Sequence, residues 1–217
     1  MRDRTEGVPA SCDRRGARGR ADRADRSEFA GFGWAATANE FMEAAPELLA
    51  EFAYAPETLG LFAKHYKTGE PMPEKLRVAL ARERGAGRRR QAMWDAREGA
   101  FDLAYHTREP GFDTTRVYND MTEKYWLYGP VEGAHPQTSV WHLSDGGVNL
   151  YSYAWARALA HDMLTRFERD GLFNPATAAD FRAAIMAPGA GEDEAKRVEH
   201  FLGRPPNSEA YARTFSE

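Results

Sequence analysis

Apolar residues recur three and four positions apart through most of residues 39–202, and Gly and Pro fill many of the gaps between these stretches. Residues 39–52, NEFMEAAPELLAEF, set the pattern, with Phe41, Ala45, Leu48, Leu49 and Phe52 as one apolar stripe. A second helix is expected from Pro56, a favourable first-turn residue, through Leu59, Phe62 and Tyr66. KTGEPMP breaks the chain, and PEKLRVALARER opens a third helix with Gly85 and Gly87 as its interruption. A fourth runs over RRRQAMWDAREGAFDLAYHT to Thr107.

Thr114 and Thr115 give a cap signal for a fifth helix, TRVYNDMTEKYWLY. GPVEGAHPQTSVWHLSDGG follows as the longest irregular region; at 19 residues it exceeds ordinary connections and points to a functional loop. NLYSYAWARALAHDMLTRFERDG predicts a long helix closed by Gly171, Asn174-Pro175 caps the next, and GEDEAKRVEHFLG makes the last clear one. No strand pair, fixed-period repeat or heptad series is visible, so the expected class is all-α.

Composition narrows the setting. Hydrophobic content of 42% and charged content of 29% fit a soluble globular chain. No apolar run reaches the roughly 20 residues needed to span a bilayer, so no membrane role is expected. Cys12 is the only cysteine, which rules out an intrachain disulfide and suits a reducing, cytoplasmic compartment. Residues 1–27 hold eight arginines against four aspartates and one glutamate, and contain no Leu, Ile, Phe, Tyr or Trp. Such a segment buries too little to offset its ordering entropy, so it is expected to be a disordered tail, with the folded part at 28–217. The tail carries +3 while the whole chain carries −4, leaving −7 for the rest, so nucleic acid is not the expected partner. A basic arm on that tail is the rival reading.

The inventory of local motifs is thin. There is no phosphate-binding Gly-rich loop, no nucleophile elbow and no Cys pair. The six histidines, at 65, 106, 135, 142, 161 and 200, include no pair four apart, so H-E-x-x-H is absent. His65 and His106 read as structural or surface residues. Glu40, Glu43, Glu47 and Glu51 share a helical face with no basic residue a turn away. They form either a solvated stripe or a face with one carboxylate turned inward to a cation.

Longer stretches carry a resemblance. Residues 171–204, GLFNPATAADFRAAIMAPGAGEDEAKRVEHFLGR, are similar to a run "G-x-F-N … F-R … I-L-x-P-G-G-S-E … F-L-G-R". EFMEAAPELLAEF resembles "D-F-V-E-A-P-S-Q-M-L-E-x-W", and HYKTGEPMPEKL resembles "H-Y-x-T-G-x-x-(I/V)-P-x-x-L". WHLSDGGVNLYSYAW resembles "F-G-H-L-x-G-Y-x-A-x-Y-Y-x-Y-x-W". In this order and spacing, over residues 28–210, they resemble the C-terminal part of the thimet oligopeptidase, oligopeptidase A and dipeptidyl carboxypeptidase family of zinc metallopeptidases.

The resemblance implies a mostly helical, clam-shaped catalytic domain whose channel admits short peptides. It implies zinc held by both histidines of H-E-x-x-H and by a glutamate on the next helix, which here is Glu43, with Glu40 beside it. Three such ligands leave a fourth zinc position for water, whose pKa falls towards 7. His142 matches a histidine near the scissile peptide, and Tyr153 matches the tyrosine that steadies the oxyanion. Tyr151 matches a neighbouring substrate-contacting aromatic. A core-filling face of Tyr and Trp is the plain alternative for the last two.

Departures from the pattern set the functional expectation. Gly146 and Leu150 stand where the family has substrate-contacting tyrosines, and Glu-Ala-Ala-Pro-Glu replaces Glu-Ala-Pro-Ser-Gln. The family's spacing would put H-E-x-x-H inside the Arg-rich tail, near DRRGARG. A single carboxylate cannot hold zinc. The expectation is therefore a peptidase fragment, inactive alone, whose tail reads like GC-rich DNA translated in a shifted frame. The missing N-terminal part is then a candidate partner. A non-catalytic helical peptide-binding protein is the alternative.

Overall fold

Asp113, Asn174 and Asp193 each turn a side-chain oxygen onto the free N–H groups that open the helix after them. The computed structural model describes residues 26–144 and 147–216, and the Arg-rich tail lies almost wholly outside them. Asp113 accepts from the Arg116 amide at 3.0 Å, and Asp193 from that of Lys196 at 2.9 Å. Asn174 takes the amides of Ala176 and Thr177 at 2.9 and 3.2 Å. Each such cap contributes about 1 kcal/mol. Gly171 (φ 102°) and Gly203 (φ 71°) end their helices in the left-handed region, as their positions predicted.

Two 3₁₀ turns, Ala30–Phe32 and Trp34–Ala36, lead into α1 (Asn39–Met42), α2 (Ala44–Tyr54) and α3 (Pro56–Phe62). There follow α4 (Glu74–His106), α5 (Thr114–Tyr125), 3₁₀ turns at Pro136–Ser139 and Trp141–Ser144, and α6 (Ser152–Asp170). The chain closes with α7 (Pro175–Phe181), running into a π turn at Arg182–Met186, then α8 (Glu194–Leu202) and α9 (Glu209–Arg213). Among the described residues the one strand-like pairing is a single bridge, Lys64 to Pro71, so the fold is all-α. No helix among them is long and apolar enough to cross a membrane.

Several boundaries differ from those the sequence predicts, among them the end of the fifth helix at Tyr125 rather than Tyr128 and the start of the long helix at Ser152 rather than Asn149. The first helix is divided at Glu43, because Pro46 has no N–H to give the carbonyl of Met42 and its ring crowds that turn. The helix from Pro56 stops at Phe62, short of Tyr66. Met72 donates to the Ala63 carbonyl and His65 to that of Glu70, both at 2.8 Å, which closes the KTGEP segment into a loop instead. Gly85 and Gly87 do not interrupt anything: α4 is one helix of 33 residues. Two glycines each cost a helix about 1 kcal/mol and do not forbid its geometry. The fifth helix is capped by Asp113 rather than by a threonine.

The described chain forms two compact units. The first comprises the described residues up to Ala86 together with those from Ala156, and the second is Gly87–Trp155. In the first, Phe167 of α6 packs edge-on to Phe52 at 4.9 Å and meets Phe181 and Phe201 at 5.8 Å. Leu48, Met163, Ile185 and Val198 complete this core. Buried Arg197 hydrogen-bonds the carbonyls of Ala184, Ile185 and Gly189, satisfying acceptors around the π turn. Gly189 (φ 56°) must be glycine, since a Cβ there would lie 2.2 Å from the Phe32 carbonyl oxygen. In the second unit, Phe101 packs on Tyr105 and Tyr118, and the Arg97 guanidinium lies 4.1 Å from the Trp94 ring.

The acidic face of α1 and α2 is not a solvated stripe. Glu47 is buried and accepts from Arg157 of α6 at 3.2 Å, while Glu51 accepts from Arg84 of α4 at 2.9 Å. Both cations come from far along the chain rather than from the next turn.

Three outcomes are expected. Gly85→Ala and Gly87→Ala, whose new methyl groups meet no neighbour within 4 Å, should each stabilise the chain by about 1 kcal/mol in urea unfolding. Arg157→Ala should cost about 3–5 kcal/mol by stripping a buried acid of a cation, whereas Arg157→Met with Glu47→Leu should come close to wild type. Asp170 is held down to about 2, first by the Arg169 hydrogen bond and then by the Thr177 hydroxyl. Because its folded pKa lies below the ordinary value, its contribution is present above about pH 4 and lost as pH falls through about 2. Asp170→Asn should therefore flatten the acid limb of a stability-versus-pH curve over that window.

Candidate functional site

Glu43 sits at the junction of α1 and α2, where the Pro46 break interrupts the helix. Its amide still donates to the Asn39 carbonyl at 3.1 Å, and its own carbonyl accepts from Glu47 at 3.1 Å. The residue is 3% exposed, between the buried neighbours Phe41 and Ala44. Glu40, one turn before it, is half-buried. A carboxylate withdrawn from water in this way favours a positive partner.

His142, Tyr151 and Tyr153 lie in the second unit. His142 belongs to the 3₁₀ turn Trp141–Ser144, and its ring stacks on Trp141 at 3.8 Å. Tyr153 stands in the first turn of α6. Its hydroxyl is 3.3 Å from His142 Nε2, and the two rings meet edge-to-face at 5.9 Å. The pair thus brings a phenol and an imidazole together on a half-buried surface. When Nε2–H donates to the phenolic oxygen, the phenol hydrogen is free to turn towards a third acceptor such as a peptide carbonyl. Tyr151, two residues before Tyr153, is 46% exposed. Leu150 is buried, with 5% of its surface exposed, while Gly146 falls outside the described residues.

Among the described residues no three His, Cys, Asp or Glu side chains are grouped to hold a metal ion. A catalytic zinc needs three protein ligands, so these residues do not fit that ion as a complete set.

His65 is exposed and accepts from the Thr68 amide at 3.2 Å, in keeping with a surface residue. His106 does more: its Nδ1 lies 3.1 Å from Oδ1 of the fully buried Asp102. Asp102 was not singled out from sequence. The signal available was the helical i, i+4 spacing of Asp and His in FDLAYH, together with an acid placed among apolar residues.

Comparison with known proteins agrees with the resemblance read from the motifs. The sequence profile described as "Peptidase family M3" matches residues 24–217. Oligopeptidase A of Escherichia coli (strain K12) is 29% identical over 200 residues, covering 88% of this chain and 28% of that protein. Mitochondrial intermediate peptidase 1 of Cryptococcus neoformans is 30% identical over 170 residues, 77% of this chain and 22% of that one. A probable cytosolic oligopeptidase A of Arabidopsis thaliana is 30% identical over 181 residues, 79% and 26% respectively. The chain therefore spans about a quarter of the length of the relatives it matches. With the family profile matching from residue 24 to the end, the chain belongs to peptidase family M3.

Proposed function

We propose that this chain is the peptide-holding part of a metallo-oligopeptidase, and that by itself it binds short peptides without cutting them. The 3.3 Å approach of the Tyr153 hydroxyl to His142 is the observation that carries this reading. Tyr153 would give its O–H to the carbonyl oxygen of a bound peptide, His142 would hydrogen-bond the same group, and Tyr151 would contact the neighbouring residue. Donors aimed at a carbonyl bind it more strongly as negative charge develops there. Glu43 is the third-ligand position of a zinc site in this proposal. Its two imidazole partners are to be sought outside this sequence, in the rest of a longer peptidase. Zinc would supply an activated water in such an assembly. A cytoplasmic setting is proposed, in keeping with a relative named as cytosolic.

A permanently non-catalytic peptide-binding protein is the second reading. The buried Leu150, at a position where the resemblance leads one to expect a substrate-contacting phenol, favours it.

The test uses the full chain with added zinc chloride and an internally quenched peptide substrate. No hydrolysis above buffer is expected. A fluorescein-labelled tryptic digest of casein should bind by anisotropy, with His142→Ala and Tyr153→Phe each weakening affinity about tenfold, as loss of one hydrogen bond implies. Chelator-sensitive hydrolysis by the chain alone would overturn the non-cutting claim. Affinity unchanged by both substitutions would overturn the holding role.

A further inference from the structure

Asp102 is fully buried on α4, in the same compact unit as His142 and Tyr153. Its Oδ2 accepts two backbone N–H groups, that of Asn149 at 2.8 Å and that of Leu150 at 2.9 Å. These residues belong to the turn that leads into α6 at Ser152, and Tyr151 and Tyr153 follow within three positions of Leu150. On the other side, His106 Nδ1 lies 3.1 Å from Oδ1 and 2.9 Å from the carbonyl oxygen of Asp102. Both neighbours of that nitrogen are acceptors, which assigns its proton to Nδ1. The imidazole thus meets the Asp102 carbonyl and stands within ion-pair distance of Oδ1, while Oδ2 takes the two amides. Three residues before Asp102, Gly99 admits the Tyr151 backbone to van der Waals distance, with a Cβ position 3.5 Å from Tyr151 Cα.

The carboxylate therefore ties down, from another helix, the turn ahead of α6: it meets the amides three and two residues before Ser152, near the end of the helix where the peptide dipoles favour negative charge. We propose that Asp102 is a positioning residue: its grip on the Asn149 and Leu150 amides sets the pose of the turn that leads through Tyr151 to Tyr153 and so presents Tyr153 beside His142. The proposal rests on the peptide-holding role given to Tyr153 and His142, and adds to it a residue that touches neither peptide nor metal. Fixing a hydroxyl through the backbone beneath it is effective, because a side chain in the first turn of a helix moves with that turn.

The test follows amide hydrogen exchange and peptide affinity in the full chain. In wild type, the Asn149 and Leu150 amides should exchange at least about tenfold more slowly than unstructured amides, as expected for hydrogen bonds to a charged acceptor. Asp102→Asn keeps the shape and removes the charge, and should speed exchange at those two positions about tenfold while leaving α5 unchanged. It should also weaken binding of the labelled casein peptides in the wild-type background, but by no more than about twofold in a Tyr153→Phe background, the signature of two residues acting as one unit. Unprotected Asn149 and Leu150 amides in wild type would overturn the proposal whether or not any variant folds. Equal losses of affinity in both backgrounds would also overturn it, showing a general structural role. If wild type binds no peptide, the holding function fails. Exchange at the two amides, with the Tyr153 and His142 ring resonances of Asp102→Asn, then decides the positioning claim alone: unshifted resonances overturn it.

Discussion

Buried carboxylates that must find donors set the constraints on this fold. Asp102 and Asp162 have no exposed surface, and Glu47 is nearly as deep. An ionised acid removed from water costs several kcal/mol, offset only when its oxygens are filled in good geometry. Here the donors come from far along the chain. Asp102 takes amides 47 and 48 residues away, and Glu47 takes Arg157 at a separation of 110. Asp162 receives both terminal nitrogens of Arg204 and the amide of Asn207, which ties the Arg204–Asn207 segment to α6. Apolar packing is non-directional and would tolerate a helix sliding by part of a turn. A carboxylate held by two or three directed hydrogen bonds would not.

Features that depend on one turn of chain were legible in the sequence. Asn174 before Pro175, the stops at Gly171 and Gly203, and the start at Pro56 follow from backbone groups satisfied within four residues. Pro46 belongs to the same class, since its missing N–H acts four residues back, yet the apolar stripe on either side hides the break. Gly85 and Gly87 mislead in the opposite direction. Their propensity penalty is real, but a helix of 33 residues distributes it over many intact hydrogen bonds.

What depends on tertiary contact was not legible. Nothing local links Glu47 to Arg157 or Glu51 to Arg84, so the sequence alone leaves open whether this face is solvated or turned inward to a cation, and does not name the cation. The candidate site divides along the same line. His142 and Tyr153 come from one motif and stand 11 positions apart, so the motif alone locates them. Asp102 lies in a different element and reaches that motif only through backbone amides, which carry no side-chain identity for a pattern to register.

Holding a peptide and cutting it make separable physical demands, and the proposed role of this chain draws on the first alone. A phenol and an imidazole 3.3 Å apart can bind a carbonyl oxygen with no further chemistry. Hydrolysis also needs a nucleophile, and a metal-bound water requires three protein ligands converging on one point. Without that nucleophile, donors shaped for an oxyanion meet only the neutral carbonyl, where they contribute ordinary binding and no rate acceleration. Residues inherited from an oxyanion site would then act as affinity determinants. Selection on a chain acting alone would preserve the pose of Tyr153 and the buried acid that fixes the turn beneath it, and would act on Glu43 as a ligand only within a longer peptidase.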